Sequence, residues 1–123
     1  MLKQRGGTMY NTTSSLAYFY FAATGTQYTS WYDCSGLTWV TTFLEATYAN
    51  QSGATLDVTI EFKNERSGTA FDPSSAHSQM TDDASNHKKH TVIGSKFRLK
   101  AVAGGTFGGT ETVTAYADYF GQE

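Results

Sequence analysis

The residues of this sequence best suited to metal or acid–base chemistry are three histidines, His77, His87 and His90, and all three fall in one polar stretch from Asn64 to His90. His87 and His90 have a spacing that two metal ligands can use. No cysteine accompanies them and the surrounding residues are polar, so they read as solvated loop residues and no bound metal is expected. Asp72, Asp82 and Asp83 offer oxygen ligands, but the alternating ligand pattern around a glycine that a calcium loop needs is absent. Cys34 stands alone between Asp33 and Ser35 with no histidine near it in sequence, so it reads as a packed, inert thiol and excludes an intrachain disulfide.

Glycoside hydrolysis requires two carboxylates facing each other across a cleft. Asp33, Glu45, Glu61 and Glu65 instead alternate with apolar residues or sit at strand ends, where charge serves solubility, and no pair stands out. The run Gly104-Gly105-Thr106-Phe107-Gly108-Gly109 has the glycines of a phosphate loop, yet the nearby Thr112-Val113-Thr114-Ala115-Tyr116 is strand-like where such a loop needs a helix start. No nucleophile elbow and no dinucleotide fingerprint occurs. The expectation is a protein that is not an enzyme and carries no cofactor. Trp31, Tyr32, Trp39 and Phe107 are the remaining chemistry-bearing set, either as platforms for sugar rings or as core packing.

The elements that hold these residues read as strands. Leu56, Val58, Ile60 and Phe62 alternate with Asp57, Thr59, Glu61 and Lys63, the clearest half-buried strand of the chain. Leu16 to Phe21 and Tyr28 to Tyr32 are two further strands around a turn at Thr24-Gly25-Thr26. Leu37 to Tyr48 alternates with two mixed faces, so its buried side is not decided by pattern. Asn64 to His90 reads as a long excursion with one short strand near Ser78 to Thr81, a place for partner contacts. Lys96 to Val102 and Glu111 to Phe120 read as a terminal hairpin across the glycine-rich turn.

With 123 residues, 8 Tyr, 8 Phe, 2 Trp, 12 Gly and one Pro, the composition suits one all-β domain, an antiparallel β-sandwich or jelly roll over residues 16–123. Residues 1–15 read as an extended N-terminal arm, polar and carrying Lys3 and Arg5 around a glycine pair. The net charge of −2 gives no general attraction for nucleic acid, and no apolar run approaches the length of a membrane span.

Four segments together resemble small β-sandwich virion proteins of tailed bacteriophages, of the capsid decoration or cement kind: Ser30-Trp31-Tyr32-Asp33-Cys34-Ser35-Gly36, Gly53-Ala54-Thr55-Leu56-Asp57-Val58-Thr59-Ile60-Glu61, Asn64-Glu65-Arg66-Ser67-Gly68 and Lys96-Phe97-Arg98-Leu99-Lys100-Ala101-Val102. The resemblance spans about residues 28 to 120. It implies a protein made in the host cytoplasm and placed on the capsid surface, where it binds the major capsid protein across capsomers and stabilises the head. Symmetric placement implies self-association, with a homotrimer as the expected form. The shell contacts expected on exposure are Lys3, Arg5, Met9 and Tyr10 in the arm, with His87, Lys88, Lys89 and His90 as a second patch. The other readings are a carbohydrate- or receptor-binding module and a tail or baseplate component.

Overall fold

The computed structural model describes residues 4–65 and 68–123. Over these residues the chain forms nine strands and no helix: β1 (Gln4–Thr8), β2 (Tyr18–Phe21), β3 (Gly25–Tyr28), β4 (Tyr32–Asp33), β5 (Trp39–Ala49), β6 (Gly53–Lys63), β7 (Ala84–Thr91), β8 (Lys96–Thr106) and β9 (Thr112–Gln122). All pairings are antiparallel. One sheet runs β1-β9-β5-β7, with β2 also on β9. Because β5 pairs along the whole of β9, β1 and β2 share its other edge end to end. In the second sheet β6 pairs along the whole of β8, and β3 and β4 share the opposite edge. Beyond β6 the segment from Phe71 to Met80 adds a broken edge through bridges at Phe62, Thr59 and Leu56. Successive long strands thus alternate between the two sheets, which makes the fold a jelly roll.

The alternation that marked β6 is the alternation that fills the core. Leu56, Val58, Ile60 and Phe62 are fully buried, as are Phe97, Leu99 and Ala101 on β8. They face Phe19 and Phe21 of β2, Val40 and Leu44 of β5, and Val113, Ala115 and Ala117 of β9. Each large side chain contributes about 1.5–3 kcal/mol by leaving water. That gain fixes the register, since a slip by one residue would bring Asp57, Glu61 and Lys63 inward. The undecided faces of β5 also separate here: Val40, Thr42, Leu44, Ala46 and Tyr48 point in, while Trp39, Phe43 and Glu45 point out.

The chain crosses between sheets at two neighbouring arches, and a buried carboxylate joins them. Glu111 accepts hydrogen bonds from the Ser52 N–H at 2.6 Å, the Ala54 N–H at 3.1 Å and the Gly108 N–H at 3.0 Å. Burial alone would raise its pKa, but these backbone donors and that of Gly53 outweigh it and hold the group below the ordinary carboxylate range.

Several expectations are corrected. β8 and β9 do not pair with each other: the glycine-rich turn carries the chain from one sheet to the other, so it is an arch rather than a hairpin. The stretch expected as a loop up to His90 contains β7, whose residues Ala84–Thr91 pair with Trp39–Ala46 of β5. Within the expected arm, residues 4–8 are edge strand β1 and Met9 is buried in the core, because its N–H bonds to the Ala117 carbonyl (2.8 Å) and draws the side chain under the sheet. Lys3, Arg66 and Ser67 lie outside the described residues.

The arch leaves no room for a side chain at Gly105. Its φ is +72°, and an added Cβ would lie 2.2 Å from the Gly53 carbonyl oxygen. Gly105→Ala should lower stability by about 3 kcal/mol in a thermal melt. Gly109→Ala, where a Cβ meets nothing within 4 Å, should stay within about 0.5 kcal/mol of wild type. Equal melting temperatures for the two variants would show that the arch is not the constraint.

Candidate functional site

The outward face of the five-stranded sheet is the surface that its own fold leaves unexplained. On β9 the inward residues are the small Val113, Ala115, Ala117 and Gly121, with Tyr119 as the one large ring among them, while Tyr116 and Phe120 point to solvent. Together with Tyr20, Trp39 and Phe43 these side chains are between 37% and 48% exposed. Strand register arranges them in rows across the sheet. One row runs Gly6, Phe120, Thr41, Lys89, the next Thr8, Asp118, Phe43, His87, and the next Tyr18, Tyr116, Glu45, Ser85. Phe120 lies against Gly6, where an added Cβ would come within 3.3 Å of the ring. The Lys89 ammonium sits 3.8 Å above the Trp39 ring, and Tyr18 packs tilted against Tyr116 at 5.2 Å.

A depression of about 230 Å³ opens at the centre of this face, lined by Phe43, Glu45, Ser85, His87, Tyr116 and Asp118 among others. Phe43 and Asp118 face each other across one strand pair, and Glu45 and Tyr116 across the next position. Aromatic and acidic groups therefore alternate like a checkerboard. Ring faces for stacking lie beside oxygens that accept hydrogen bonds from hydroxyl or ammonium groups.

The opposite outer face is closed over by its own side chains. The Arg98 guanidinium lies 4.1 Å above Tyr28 and 4.4 Å above Trp31, and Lys63 lies 4.5 Å above Trp31. Arg98 also pairs with Glu61 at 2.8 Å. Of the aromatics considered as sugar platforms, Trp31 is thus covered, Tyr32 packs on Phe97 and Tyr119, and Phe107 is packed against the core. Trp39 alone joins the aromatic face. Phe43, Tyr116 and Phe120 were missed because their strands carry apolar residues on both sides.

The expected contact residues divide. His87 and Lys89 lie on the outward face at its β7 border, beside Phe43 and Trp39. Lys88 is exposed on the other side of β7. Arg5 pairs with Asp33 at 3.0 Å, and Tyr10 is exposed with its N–H donated to the Tyr32 hydroxyl. The strand β1 that carries Arg5 borders the face on the side opposite β7, about 14 Å away at the usual strand spacing. His90 is corrected: it is buried, because the strand period turns it inward from β7.

His90 belongs to a closed polar chain with His77. The His77 Nδ1–H donates to Asn86 Oδ1 (2.8 Å), so its Nε2 accepts from the Thr42 hydroxyl (2.7 Å). Thr42 Oγ1 then accepts from the His90 Nε2–H (2.9 Å), and His90 Nδ1 accepts from the Ser75 hydroxyl (2.7 Å). Every donor has one acceptor, and both rings are neutral. Burial lowers both pKa values, with the cationic neighbour Lys88 adding to it, and holds His90 at about 4. Cys34 is buried, with its thiol against the Gly94 carbonyl at 3.3 Å, and burial pushes its pKa up to about 12.

No helix among the described residues is long and apolar enough to cross a membrane. No protein-family model matches the sequence, and no curated protein matches it significantly. Solved structures are similar in shape. A chain of an icosahedral particle of infectious bursal disease virus aligns at TM-score 0.56 with 13% identity, over 98% of this chain and 31% of the viral one. A chain from the Gx strain of that virus aligns at TM-score 0.54 with 11% identity, over 99% and 32%. A carbohydrate-binding module solved with calcium and xylotriose aligns at TM-score 0.39 with 15% identity, over 99% of this chain and 93% of the module. This chain thus spans about a third of the length of the viral chains, and at such identities the likeness to them establishes the β-sandwich, jelly-roll fold and nothing finer.

Proposed function

We propose that this chain is a virion structural protein of the decoration type, which seats the aromatic face of its five-stranded sheet on a phage head and links neighbouring copies of the major capsid protein. One observation carries the reading: Tyr20, Trp39, Phe43, Tyr116 and Phe120 are presented to solvent on a single sheet face, while the inward side of β9 holds Val113, Ala115, Ala117 and Gly121 beside the one ring of Tyr119. A patch of this kind marks a surface that meets another macromolecule. The fold is one that chains of an icosahedral viral particle also use, which supports the reading without deciding it. Four strands by about eight residues give a planar area on the order of 500 Å², below the roughly 800 Å² per partner of a standard interface. A face of that size binds weakly alone and firmly when several copies act together, which favours a self-associated form such as a homotrimer. Lys89 and His87 on one border and Glu45 and Asp118 at the centre then set the register against the shell.

The test is to add the purified chain to phage shells that lack it and measure their disruption on heating. A defined oligomer by light scattering, together with shells that open at higher temperature, is the expected result. Phe43→Ser combined with Phe120→Ser should abolish the protection while changing the stability of the free protein by no more than about 1 kcal/mol per site. A chain that leaves every such shell unprotected removes the reading.

The central depression favours a second reading, recognition of a neutral or amino sugar, because Phe43 and Tyr116 flank it with Glu45 and Asp118 at hydroxyl-bonding positions. Titration of neutral oligosaccharides monitored by NMR should then shift the amides of Phe43 and Tyr116, and Tyr116→Ala should abolish the shifts. No shift at millimolar sugar rules this second reading out.

A further inference from the structure

The segment from Phe71 to Met80 closes the open side of the jelly roll between β6 and β7, and it does so with few apolar anchors. Phe71 is half exposed, and Met80 is the one large hydrophobic side chain of the segment buried in the core. Its backbone runs along the free edge of β6: the Phe62 N–H donates to the Phe71 carbonyl (2.9 Å), the Ile60 N–H to that of Ser75 (3.3 Å) and the Leu56 N–H to that of Met80 (2.9 Å), while the His77 N–H donates to the Val58 carbonyl (2.9 Å). Its side chains reach the other sheet. Ser75 holds His90, and His77 holds both Thr42 and Asn86. At the end of the segment the Tyr48 hydroxyl donates to the Met80 carbonyl at 2.9 Å.

We infer that this segment is an acid-opened strap: protonation of the buried His77 and His90 releases it from β6 and β7 while the rest of the jelly roll stays folded. The inference rests on the strap's own geometry and not on the virion reading. The polar chain of His77, Thr42, His90 and Ser75 has one hydrogen for each link. A proton added to His77 must go on Nε2, where it displaces the Thr42 hydrogen, and Thr42 Oγ1 already receives the His90 N–H. A proton added to His90 must go on Nδ1, so that Ser75 turns its hydrogen away and accepts instead. Either event reverses a link between the strap and the five-stranded sheet, takes the acceptor from a hydroxyl hydrogen of the closed chain and leaves an imidazolium buried with no carboxylate against it.

Only the Asn86 amide oxygen, which accepts from His77, favours such charge, and burial outweighs it. From β7 the groups that act on the pair are Lys88 and His87, both cationic or able to become so, and Asn86; β5 supplies the neutral Thr42, and each ring faces the other at 5.9 Å. From β6 the strap meets Asp57, which takes Gln79 rather than a histidine. At its far end Asp83 accepts the Tyr48 N–H at 2.7 Å, and Asp72 accepts the Ser74 N–H at 2.8 Å.

Linkage sets the sign. With the strap closed both histidines bind protons more weakly than the ordinary value near 6.5, and with it open they bind normally, so opening is favoured as pH falls below about 6.5 and levels off near 4. From His90 alone, with its closed-state value at about 4, the open population rises roughly 80-fold between pH 6.5 and 4 and somewhat more than 100-fold between pH 7.5 and 4. Opening uncovers the peptide groups of Leu56, Ile60 and Phe62, leaving β6 as a long bare edge.

The experiment is amide hydrogen exchange on the full chain from pH 7.5 to 4, each rate corrected for intrinsic exchange. The amides of Leu56, Ile60, Phe62 and His77 should lose protection by roughly 100-fold or more while those along β8 and β9 keep theirs. Loss of protection in all of them together, or none in the strap, overturns the inference. Carboxylates also titrate near the lower limit, and Lys88→Glu separates them without touching the core. It should move the midpoint to higher pH if the histidines are the trigger, whereas an unmoved midpoint, with Asp83→Asn moving it instead, would overturn their role.

Discussion

The fold depends on holding two arches in place, and the Glu111 carboxylate is where they meet. None of the four longest strands pairs with a long strand adjacent to it in sequence: β5 takes β9 and β6 takes β8, so the sheets can align only when the 50–53 and 104–111 turns are fixed against each other. The acceptor oxygens of Glu111 do this by collecting N–H groups from both turns, where each unpaired donor would cost about 1–3 kcal/mol if buried without a partner. Gly53 and Gly105 then approach too closely for any side chain, which explains why glycine stands at both. Long-range pairing of this kind closes large loops before it gains contacts, and places the arches among the late and demanding steps of folding.

Local alternation revealed strands but not their partners. β6 was legible because its four apolar and four charged or polar residues separate cleanly, and its register is fixed by burying one set. β7 was illegible for the converse reason: Ala84 to Thr91 has almost no apolar residue, since the side it turns from the outward face carries Asn86 and His90, which join a polar chain, and Lys88, with Ala84 alone packed on the apolar core. The glycine-rich run before β9 signals a reversal of the chain, but nothing in a reversal says whether the next strand stays in the same sheet. The arm was misjudged because Gln4 to Thr8 has no apolar period; it forms a strand through backbone pairing with β9 alone, and the polarity of its side chains suits an outer edge.

The candidate site was legible only at its rim. Lys89 and His87 drew attention as a basic cluster and do border the aromatic face, while Met9 and His90, chosen on the same grounds of exposure, are turned inward by strand geometry. The centre of the face could not be found by pattern, because on β5 and β9 the apolar residues occupy both sides of the pleat. What distinguishes the sides is size. Large rings from β2, β6 and β8 fill the core, so four of the inward positions of β9 hold Val113, Ala115, Ala117 and Gly121, and an added Cβ at Gly121 would come within 2.5 Å of Leu37. Of the large rings of β9 the core takes Tyr119, against Phe97, and leaves Tyr116 and Phe120 outside.

That inversion bears on function more than the fold does. A sheet face that served only solubility would carry charges in its outward positions, as the four-stranded sheet does with Asp57, Glu61, Lys63, Arg98 and Lys100. There the aromatic rings lie beneath Arg98 and Lys63, and little ring surface remains for a partner. On the five-stranded sheet, among the described residues, a single cation covers a single ring, Lys89 over Trp39, and the acids Glu45 and Asp118 stand between the other rings rather than over them. Charges so placed keep the free protein dispersed and hinder unspecific stacking of bare rings, yet they leave the ring faces open. The same sheet is buttressed from within by Thr42, Asn86 and His90, whose hydrogen bonds to His77 and Ser75 tie β5 and β7 to the strap. β5 thus carries Trp39 and Phe43 on its outer side and Thr42 of the polar chain on its inner side, and β7 carries His87 and Lys89 outward and His90 inward.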